Sequence, residues 1–247
     1  MIGPMASASR VRGRGEGAAE RLAKDLAVHI EQAVEATVAA AWAEGVLRAK
    51  SDWTAAFGGE QHSLGRAFYT HLEQGTLDEY FADAPRSDER VEAAAPGLQS
   101  TMRALVARVT GADVVARRDF CGPGVHIFSP EEKVAREGGV VHFDTEGLPA
   151  RHRTLKKPAL SLVLMLSAPS EGGGLSLWDV RYEGQDAVPR RSQARAAKVT
   201  VHSRAGDAVL FDSYVLHQIL PFAGTAHRVS ATVHAAEVEA GRWETWF

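Results

Sequence analysis

The sequence predicts a mainly β protein with flanking helices: a double-stranded β-helix, or jelly roll, with N-terminal helices packed on one of its sheets. Three patterns predict it: apolar residues at helical spacing in the first hundred residues, an almost unbroken apolar run at 159–168, and polar–apolar alternation from Arg228 to His234. Helices and sheets that are apolar on one side bury those surfaces against each other. We therefore expect one layered domain over residues 18–247.

Composition and charge narrow the class of protein. Of the 247 residues, 45% are hydrophobic and 24% are charged, which is ordinary for a soluble globular chain. The formal net charge of −3 gives no reason to expect nucleic acid as a partner. No apolar run approaches the roughly 20 residues of a transmembrane helix, so no membrane partner is expected. The single cysteine, Cys121, excludes an intrachain disulfide and favours a reducing, cytoplasmic location.

The N-terminal part is expected to be mostly helical up to residue 112. Residues 1–17 combine arginines with Gly, Ala and Ser and have no apolar core segment, so we expect a disordered leader rather than a secretory signal. From Ala18 to Lys50, an apolar residue every four positions predicts one long helix. Its apolar stripe comprises Leu22, Leu26, Ile30, Val34, Val38 and Trp42.

The jelly-roll core is expected over residues 113–235. The apolar run beginning at Ala159 is too short to cross a membrane and indicates a central strand. The polar segment 182–197 is expected to be a long loop between strands. Further strand patterns occur at 113–120, 124–128 and 199–202.

The segment from His142 to Ser230 holds the candidate metal ligands. In His142-Phe-Asp144 an imidazole and a carboxylate stand at i and i+2, which in a strand point to the same side and can reach one metal ion. A second histidine, His217, lies within residues 206–221, where the pattern indicates strand, turn and strand. Two histidines and one carboxylate suit an open non-haem Fe(II) site, with three coordination positions free for cosubstrate and oxygen.

Ten residues separate His217 from a candidate anion site, which begins at Arg228. Arg228 and Ser230 also stand at i and i+2, so both point to one face of the last predicted strand. Arginine offers a planar fork that matches a carboxylate, and serine adds a hydroxyl donor. An anionic ligand held inside the barrel is therefore expected.

The combination His142-x-Asp144, His217 and Arg228-x-Ser230 resembles the Fe(II)/2-oxoglutarate-dependent dioxygenase superfamily, in its prolyl-4-hydroxylase-like branch. The resemblance implies that His142, Asp144 and His217 are the iron ligands. It also implies that Arg228, assisted by Ser230, binds the distal carboxylate of 2-oxoglutarate.

The resemblance implies an enzyme that uses Fe(II), 2-oxoglutarate and O2 to oxidise an unactivated C–H bond, with release of succinate and CO2. Asp144 favours hydroxylation over halogenation, because related halogenases lack this carboxylate. Desaturation and cyclisation stay open, because they use the same ligands. We expect a small-molecule substrate, such as an amino acid or a biosynthetic intermediate, because Arg228-x-Ser230 is similar to the clamp of small-molecule oxygenases.

The sequence is also compatible with two other functions. One is a hydroxylase of peptide or protein side chains, as in the prolyl hydroxylases. The other belongs to a different class: a sensor that binds metal and 2-oxoglutarate without turnover, or a cupin-like metal protein. Succinate release in the presence of substrate would separate the enzyme from the sensor.

Three residues are predicted to contact the substrate. His126 lies in a predicted strand close to the metal segment, and Trp178 ends another strand near the expected entrance. Arg151 opens a basic segment with Lys156 and Lys157 that follows the iron ligands and could meet an anionic substrate group. The alternative for this basic segment is a solvated surface loop.

Overall fold

Two β-sheets face each other, and helices cover the outer face of the larger one. The computed structural model describes residues 6–13, 15, 17–186 and 190–247. Its helices are α1 Ala18–Leu22, α2 Ala36–Arg48, α3 Phe68–Gln74, α4 Leu77–Ala94, α5 Leu98–Thr110, α6 Lys133–Glu137, α7 Ala150–Leu155 and α8 Arg190–Arg195.

The strands are distributed over the whole described chain. They are β1 Ala8–Arg12, β2 Ala27–Glu31, β3 Thr54–Ala56, β4 Gln61–Leu64, β5 Asp113–Ala116, β6 Gly124–Phe128, β7 Ala159–Ser167, β8 Glu171–Gly172, β9 Leu175–Arg181, β10 Lys198–Val201, β11 Ala208–Asp212, β12 Val215–Ile219, β13 Phe222–Ala223, β14 Arg228–Glu239 and β15 Arg242–Trp246.

The large sheet has the order β1-β2-β11-β7-β14-β6-β4-β3, and β15 pairs with β14 and β5. A three-stranded sheet, β10-β9-β12, and a two-stranded pair, β13-β8, complete the strands of the described residues. β14 is the longest strand, and it pairs antiparallel with β6, β7 and β15. The expected double-stranded β-helix is confirmed.

Strand periodicity separates a helix-facing surface from a cavity-facing surface. On β14, Val229, Ala231 and Val233 belong to the core cluster beneath the helices. The alternate residues Arg228 and Ser230 line the internal cavity, as do Thr232 and His234 further along the strand. Because side chains alternate across a strand, one segment supplies both core and site.

The helices pack on the large sheet as expected. Trp42 and Val46 of α2 and Met102 and Leu105 of α5 are buried in the same cluster as the leucines of β7. Each helix therefore places one apolar stripe on the sheet and leaves its other side exposed. Among the described residues, no helix combines the length and apolarity needed to cross a membrane.

The single long helix expected over residues 18–50 is wrong. The segment forms α1, then β2, then α2, and β2 pairs with both β1 and β11. Residues 26–30 are buried without exception, including His29, whose Nε2 lies 3.1 Å from Asp207 Oδ2. A spacing of four coincided here with a strand that is covered on both faces, and periodicity alone does not distinguish such a strand from a helix.

The disorder expected for residues 1–17 does not hold for Ala8–Arg12, which pair in parallel with β2. Residues 1–5, 14 and 16 lie outside the described residues. Residues 18–112 hold the helices α1 to α5, and they also contribute the strands β2, β3 and β4 to the large sheet. In the expected loop 182–197, α8 occupies Arg190–Arg195, and residues 187–189 lie outside the described residues.

Candidate active site

The predicted metal ligands meet in space. Ligand atoms of His142, Asp144 and His217 all lie within 4.8 Å of one another. Asp144 Oδ1 is 3.4 Å from Nε2 of His142 and 3.4 Å from Nε2 of His217. Two imidazole nitrogens and one carboxylate oxygen are the protein ligands of open non-haem Fe(II) sites.

The hydrogen bonds of both histidines prepare them for coordination. His142 Nδ1 is 2.8 Å from the carbonyl oxygen of Val140, and His217 Nδ1 is 3.0 Å from that of Val215. A carbonyl oxygen only accepts, so each Nδ1 donates, and Nε2 is the nitrogen left to bind a metal ion in place of a proton. Outer hydrogen bonds of this kind fix the tautomer and ring orientation of metal-bound histidines. The residues present therefore fit a ferrous ion.

The backbone brings the ligands together with less regular structure than expected. His217 lies on β12, whereas His142 forms only an isolated bridge to it, with two backbone hydrogen bonds of 3.0 and 3.1 Å. Asp144 N donates to the carbonyl oxygen of Ser213 at 3.0 Å. The strand predicted at His142 is thus a bridged extended segment, and it still aligns residues 142 and 144 on one side.

The second oxygen of Asp144 faces another histidine. Asp144 Oδ2 lies 3.7 Å from His234 Nδ1, which is 3.1 Å from Ser161 Oγ. Burial acts to raise the pKa of Asp144, but His217 and then His234 outweigh it and hold that pKa well below its usual value. The carboxyl group is therefore ionised, as a metal ligand must be.

Arg228 is 2% exposed and has no carboxylate partner among the ion pairs of the described residues. Its Nη1 donates to Ser230 Oγ at 3.1 Å, and its Nε donates to the carbonyl oxygen of Gly173 at 3.2 Å. Burial lowers the pKa of Arg228 to about 10, which still leaves it charged at neutral pH. A buried guanidinium without a counter-ion is unfavourable, so the site favours an anionic ligand.

One cavity of about 320 Å³ contains both the metal ligands and Arg228. Its walls come from both sheets, with Val163 and Ser230 on the large sheet and Leu175 on the small one. The N-terminal region and the chain end also contribute, through Phe57, Gln61, Phe68, Tyr69, Trp246 and Phe247. Fe(II) and 2-oxoglutarate can therefore occupy adjacent positions in a single chamber.

His126 is the one predicted substrate-contact residue that lines this cavity. It pairs with Ser230 across β6 and β14, and its Nδ1 is 3.3 Å from Gln61 Nε2. Burial lowers the pKa of His126 to about 3, with His234 and Arg228 acting in the same direction. His126 is therefore an uncharged residue of the cavity lining, next to the anion site at Arg228 and Ser230.

The other two predicted substrate contacts lie elsewhere. Trp178 is buried in a cluster with Tyr182 and Tyr214, and of these buried rings only Trp246, a further member of the cluster, also lines the cavity. Arg151 is exposed on α7, and Lys156 Nζ sits 4.3 Å from the ring centroid of Tyr182. Neither Trp178 nor the basic residues belong to the cavity lining. The basic segment is therefore a surface feature, as the alternative interpretation held.

Sequence reasoning missed several lining residues. His234 could have been found, because it continues the i, i+2 series of Arg228 and Ser230 along β14. Glu146 similarly follows Asp144 by two positions, and burial raises its pKa to about 7. Tyr69 and Trp246 carried no such signal, because only tertiary packing brings α3 and the chain end to the cavity.

Comparison with known proteins agrees with this geometry. Residues 148–234 match the family described as putative 2OG-Fe(II) oxygenase. The match includes His217, Arg228 and Ser230 but begins after His142 and Asp144, so the complete ligand set rests on the structure. A search of curated proteins finds no match.

Solved structures share the fold at low sequence identity. A dioxygenase of N-substituted L-amino acids from Burkholderia ambifaria, in complex with α-ketoglutarate, has 17% identity and a TM-score of 0.56, covering 94% of this chain and 90% of that one. The carbocyclase SnoK from nogalamycin biosynthesis has 18% identity and a TM-score of 0.56, covering 88% and 82%. A Trichoplax adhaerens prolyl hydroxylase bound to a peptide fragment has 15% identity and a TM-score of 0.51, covering 87% and 85%.

These findings confirm the resemblance read from the sequence. The predicted enzyme class and its cofactors, Fe(II) and 2-oxoglutarate, are those of the matched family, and the His-Asp-His arrangement suits the iron. The chain has the fold and, over residues 148–234, the family signature of the 2OG-Fe(II) oxygenases.

Proposed function

We propose that this protein hydroxylates an unactivated C–H bond of a small molecule, with His142, Asp144 and His217 holding Fe(II) and Arg228 and Ser230 binding 2-oxoglutarate. The observation that carries the assignment is the shared cavity. It holds a facial set of metal ligands and a buried, uncompensated guanidinium. A cupin-like metal protein that does not bind 2-oxoglutarate would not need Arg228 and Ser230 as a site for a dicarboxylate.

The protein's own residues have three tasks in this reaction. When bound, iron and 2-oxoglutarate supply the oxidation, with O2 as oxidant and succinate and CO2 as products. Asp144 and the two histidines hold the metal through preset donor atoms, and Arg228 orients the cosubstrate by its far carboxylate. The aromatic residues Tyr69 and Trp246 shield the reacting carbon from water.

The dimensions of the cavity support a small-molecule substrate. About 320 Å³ lies at the lower end of the range for pockets that bury small ligands. Two of the similar structures carry names of small-molecule enzymes, an amino-acid dioxygenase and a carbocyclase. We also infer a cytoplasmic, reducing location from the one buried thiol, Cys121.

Two alternatives make different predictions in a substrate screen. A prolyl-type hydroxylase would release succinate only with peptides, as the similar peptide-bound structure suggests. A sensor would bind iron and 2-oxoglutarate but release no succinate with any substrate. Small molecules that stimulate succinate release above the uncoupled background would support the proposal.

The clamp can be tested by binding measurements. We expect Arg228→Ala to weaken 2-oxoglutarate binding by about a hundredfold, because a charge-assisted hydrogen-bonded pair contributes about 1.5–3 kcal/mol and its loss leaves a buried carboxylate unpaired. Arg181→Ala is the control, because Arg181 pairs with Asp212 at the surface. Anaerobic calorimetry of 2-oxoglutarate binding to the Fe(II)-loaded protein is the measurement. Equal affinity in wild type and Arg228→Ala would remove Arg228 from the clamp.

A further inference from the structure

The charges that line the cavity are unevenly distributed. Among the described residues, the lining includes the carboxylates Glu60, Glu73, Asp144 and Glu146 and, as its basic side chain other than histidine, Arg228. Asp144 is assigned to iron and Arg228 to 2-oxoglutarate. Three carboxylates therefore remain for the substrate part of the cavity.

The three remaining carboxylates differ in their partners. Glu60 accepts hydrogen bonds from Lys133 Nζ at 2.9 and 3.0 Å, so its charge is compensated. Glu73 is exposed on α3. Glu146 is half-buried, and its carboxylate accepts a hydrogen bond from its own backbone N–H but makes no ion pair or hydrogen bond with any other described residue. Glu146 is therefore the carboxylate best placed to meet a charge on the substrate.

An aromatic surface lies on the same side of the cavity. The rings of Phe57 and Tyr69 stack with centroids 6.5 Å apart, and Trp246 and Phe247 add two buried rings. The segment that carries Glu146 lies against these rings, because a Cβ added at the next residue, Gly147, would be 2.6 Å from Trp246 Nε1 and 3.3 Å from Phe68 Cδ1. Aromatic faces attract cations and also bind apolar groups.

Apart from Arg228 and the histidines, no basic side chain of the described residues lines the cavity. Arg151 and Lys156 are absent from the lining, and Arg117, which donates to the carbonyl oxygen of Gly147, is absent from it as well. A second anion, beside the one on Arg228, would lie near Asp144 and Glu146 and would be opposed by like-charge repulsion in a partly desolvated site.

We propose that the substrate carries a positively charged nitrogen, such as an amine, joined to an apolar body, and that Glu146 binds this cation. The inference rests on the proposed function, since it names the substrate class of the same cavity. The aromatic residues hold the apolar body, and the ion pair fixes which carbon faces the metal ligands. Anionic substrates are selected against by the same carboxylate.

Three matched probes test this charge preference: 3-phenylpropylamine, its N-acetyl derivative and 4-phenylbutyrate. Binding to wild type, Glu146→Gln and Glu137→Gln is measured by anaerobic calorimetry, with Fe(II) and 2-oxoglutarate present. Glu137 is exposed and does not line the cavity, so its variant removes one charge without touching the site.

We expect the amine to bind at least about tenfold more tightly than 4-phenylbutyrate, which corresponds to about 1.4 kcal/mol. Glu146→Gln should remove most of that advantage and leave the N-acetyl probe unchanged, and Glu137→Gln should bind all three as wild type does. Equal affinity for amine and carboxylate, no measurable amine binding, or an unchanged Glu146→Gln variant would overturn the proposal.

The same titrations separate this inference from the proposed function. Iron and 2-oxoglutarate binding are measured before any probe is added. If iron and 2-oxoglutarate do not bind, the oxygenase assignment is contradicted. If both bind but the amine is not preferred, only the cation site is contradicted. Repeating the amine titration on metal-free protein shows whether Glu146 binds the cation independently of iron.

Discussion

The two oxygens of the Asp144 carboxylate have different surroundings. Oδ1 faces Nε2 of His142 and His217, whereas Oδ2 faces His234. His234 is itself held by Ser161, which is fully buried on β7. At 3.7 Å this contact is longer than a hydrogen bond, so His234 acts on the Asp144 carboxylate by packing and electrostatics.

At this residue scale we predict that His234→Ala lowers the affinity for Fe(II) by up to about 10-fold, the lower limit for a lost outer hydrogen-bond partner, because His234 only packs near the carboxylate of Asp144. His234→Gln should recover part of the loss, because an amide can donate to Asp144. Competition with a coloured chelator under anaerobic conditions gives the affinity. His202→Ala, on an exposed histidine, is the control, and unchanged affinity in His234→Ala would show that Asp144 is oriented without it.

The sequence was most informative for residues on a regular strand. Arg228 and Ser230 follow the period of β14, and His217 lies on β12, so spacing alone aligned them. The prediction for Trp178 rested on its position at a strand end, near an expected entrance, whereas Trp178 is buried among apolar residues and does not line the cavity. A strand pattern indicates which residues share a face but does not identify what covers that face.

At the scale of elements, the chain end closes the cavity. Trp246 is the last residue of β15, Phe247 follows it, and each is 1% exposed. Phe247 lies directly against β6: a Cβ added at Gly124 would be 2.0 Å from its Cδ1. Only glycine permits this approach, so β6 and the C-terminal aromatic residue depend on each other.

We predict that Gly124→Ala destabilises the protein by about 1–3 kcal/mol, the usual cost of overpacking a core. Thermal unfolding should show a Tm lower by at least about 2 °C. Gly139→Ala is the matched control, because a Cβ there would meet its nearest atom at 3.6 Å, an ordinary contact. A Gly124→Ala variant as stable as the control would mean that Phe247 moves aside without loss.

The N-terminal elements include a strand that local sequence patterns did not predict. Apolar spacing correctly indicated α2, but it extended the helix backward through β2, a strand buried on both faces. The pairing of β2 with β11 joins residues nearly 180 positions apart, and no local signal records it. The α3 residues at the cavity, Phe68 and Tyr69, were missed for the same reason.

At the scale of the whole molecule, the buried thiol reports on global folding. Cys121 is 1% exposed, and burial raises its pKa to about 11. We predict that the native protein reacts with a thiol reagent at pH 8 orders of magnitude more slowly than the denatured chain, because the thiolate is both scarce and inaccessible. Absorbance of the released thiolate dye measures the rate. Comparable rates in native and denatured protein would show that this region opens readily.

The jelly roll, the metal ligands and the anion site at Arg228 and Ser230 could be predicted from the sequence. The shape of the cavity could not. The core strands carry either a period-two pattern, as in β14, or an apolar run, as in β7, and the metal and clamp residues are chemically distinctive. Part of the cavity wall comes from α3, β15 and the loop around Phe57, which meet only after folding. The basic segment that could have met an anionic substrate group lies outside the cavity, and the lining includes carboxylates instead.

The central claim is that His142, Asp144 and His217 hold Fe(II) next to 2-oxoglutarate bound at Arg228. The most direct test is an anaerobic titration of metal-free protein with Fe(II) and then 2-oxoglutarate, followed in the visible range. We predict a weak charge-transfer band that appears only when both are present and is lost in His217→Ala. A wild-type mixture that stays colourless would contradict the ligand set or the clamp and would favour a cupin-like metal protein.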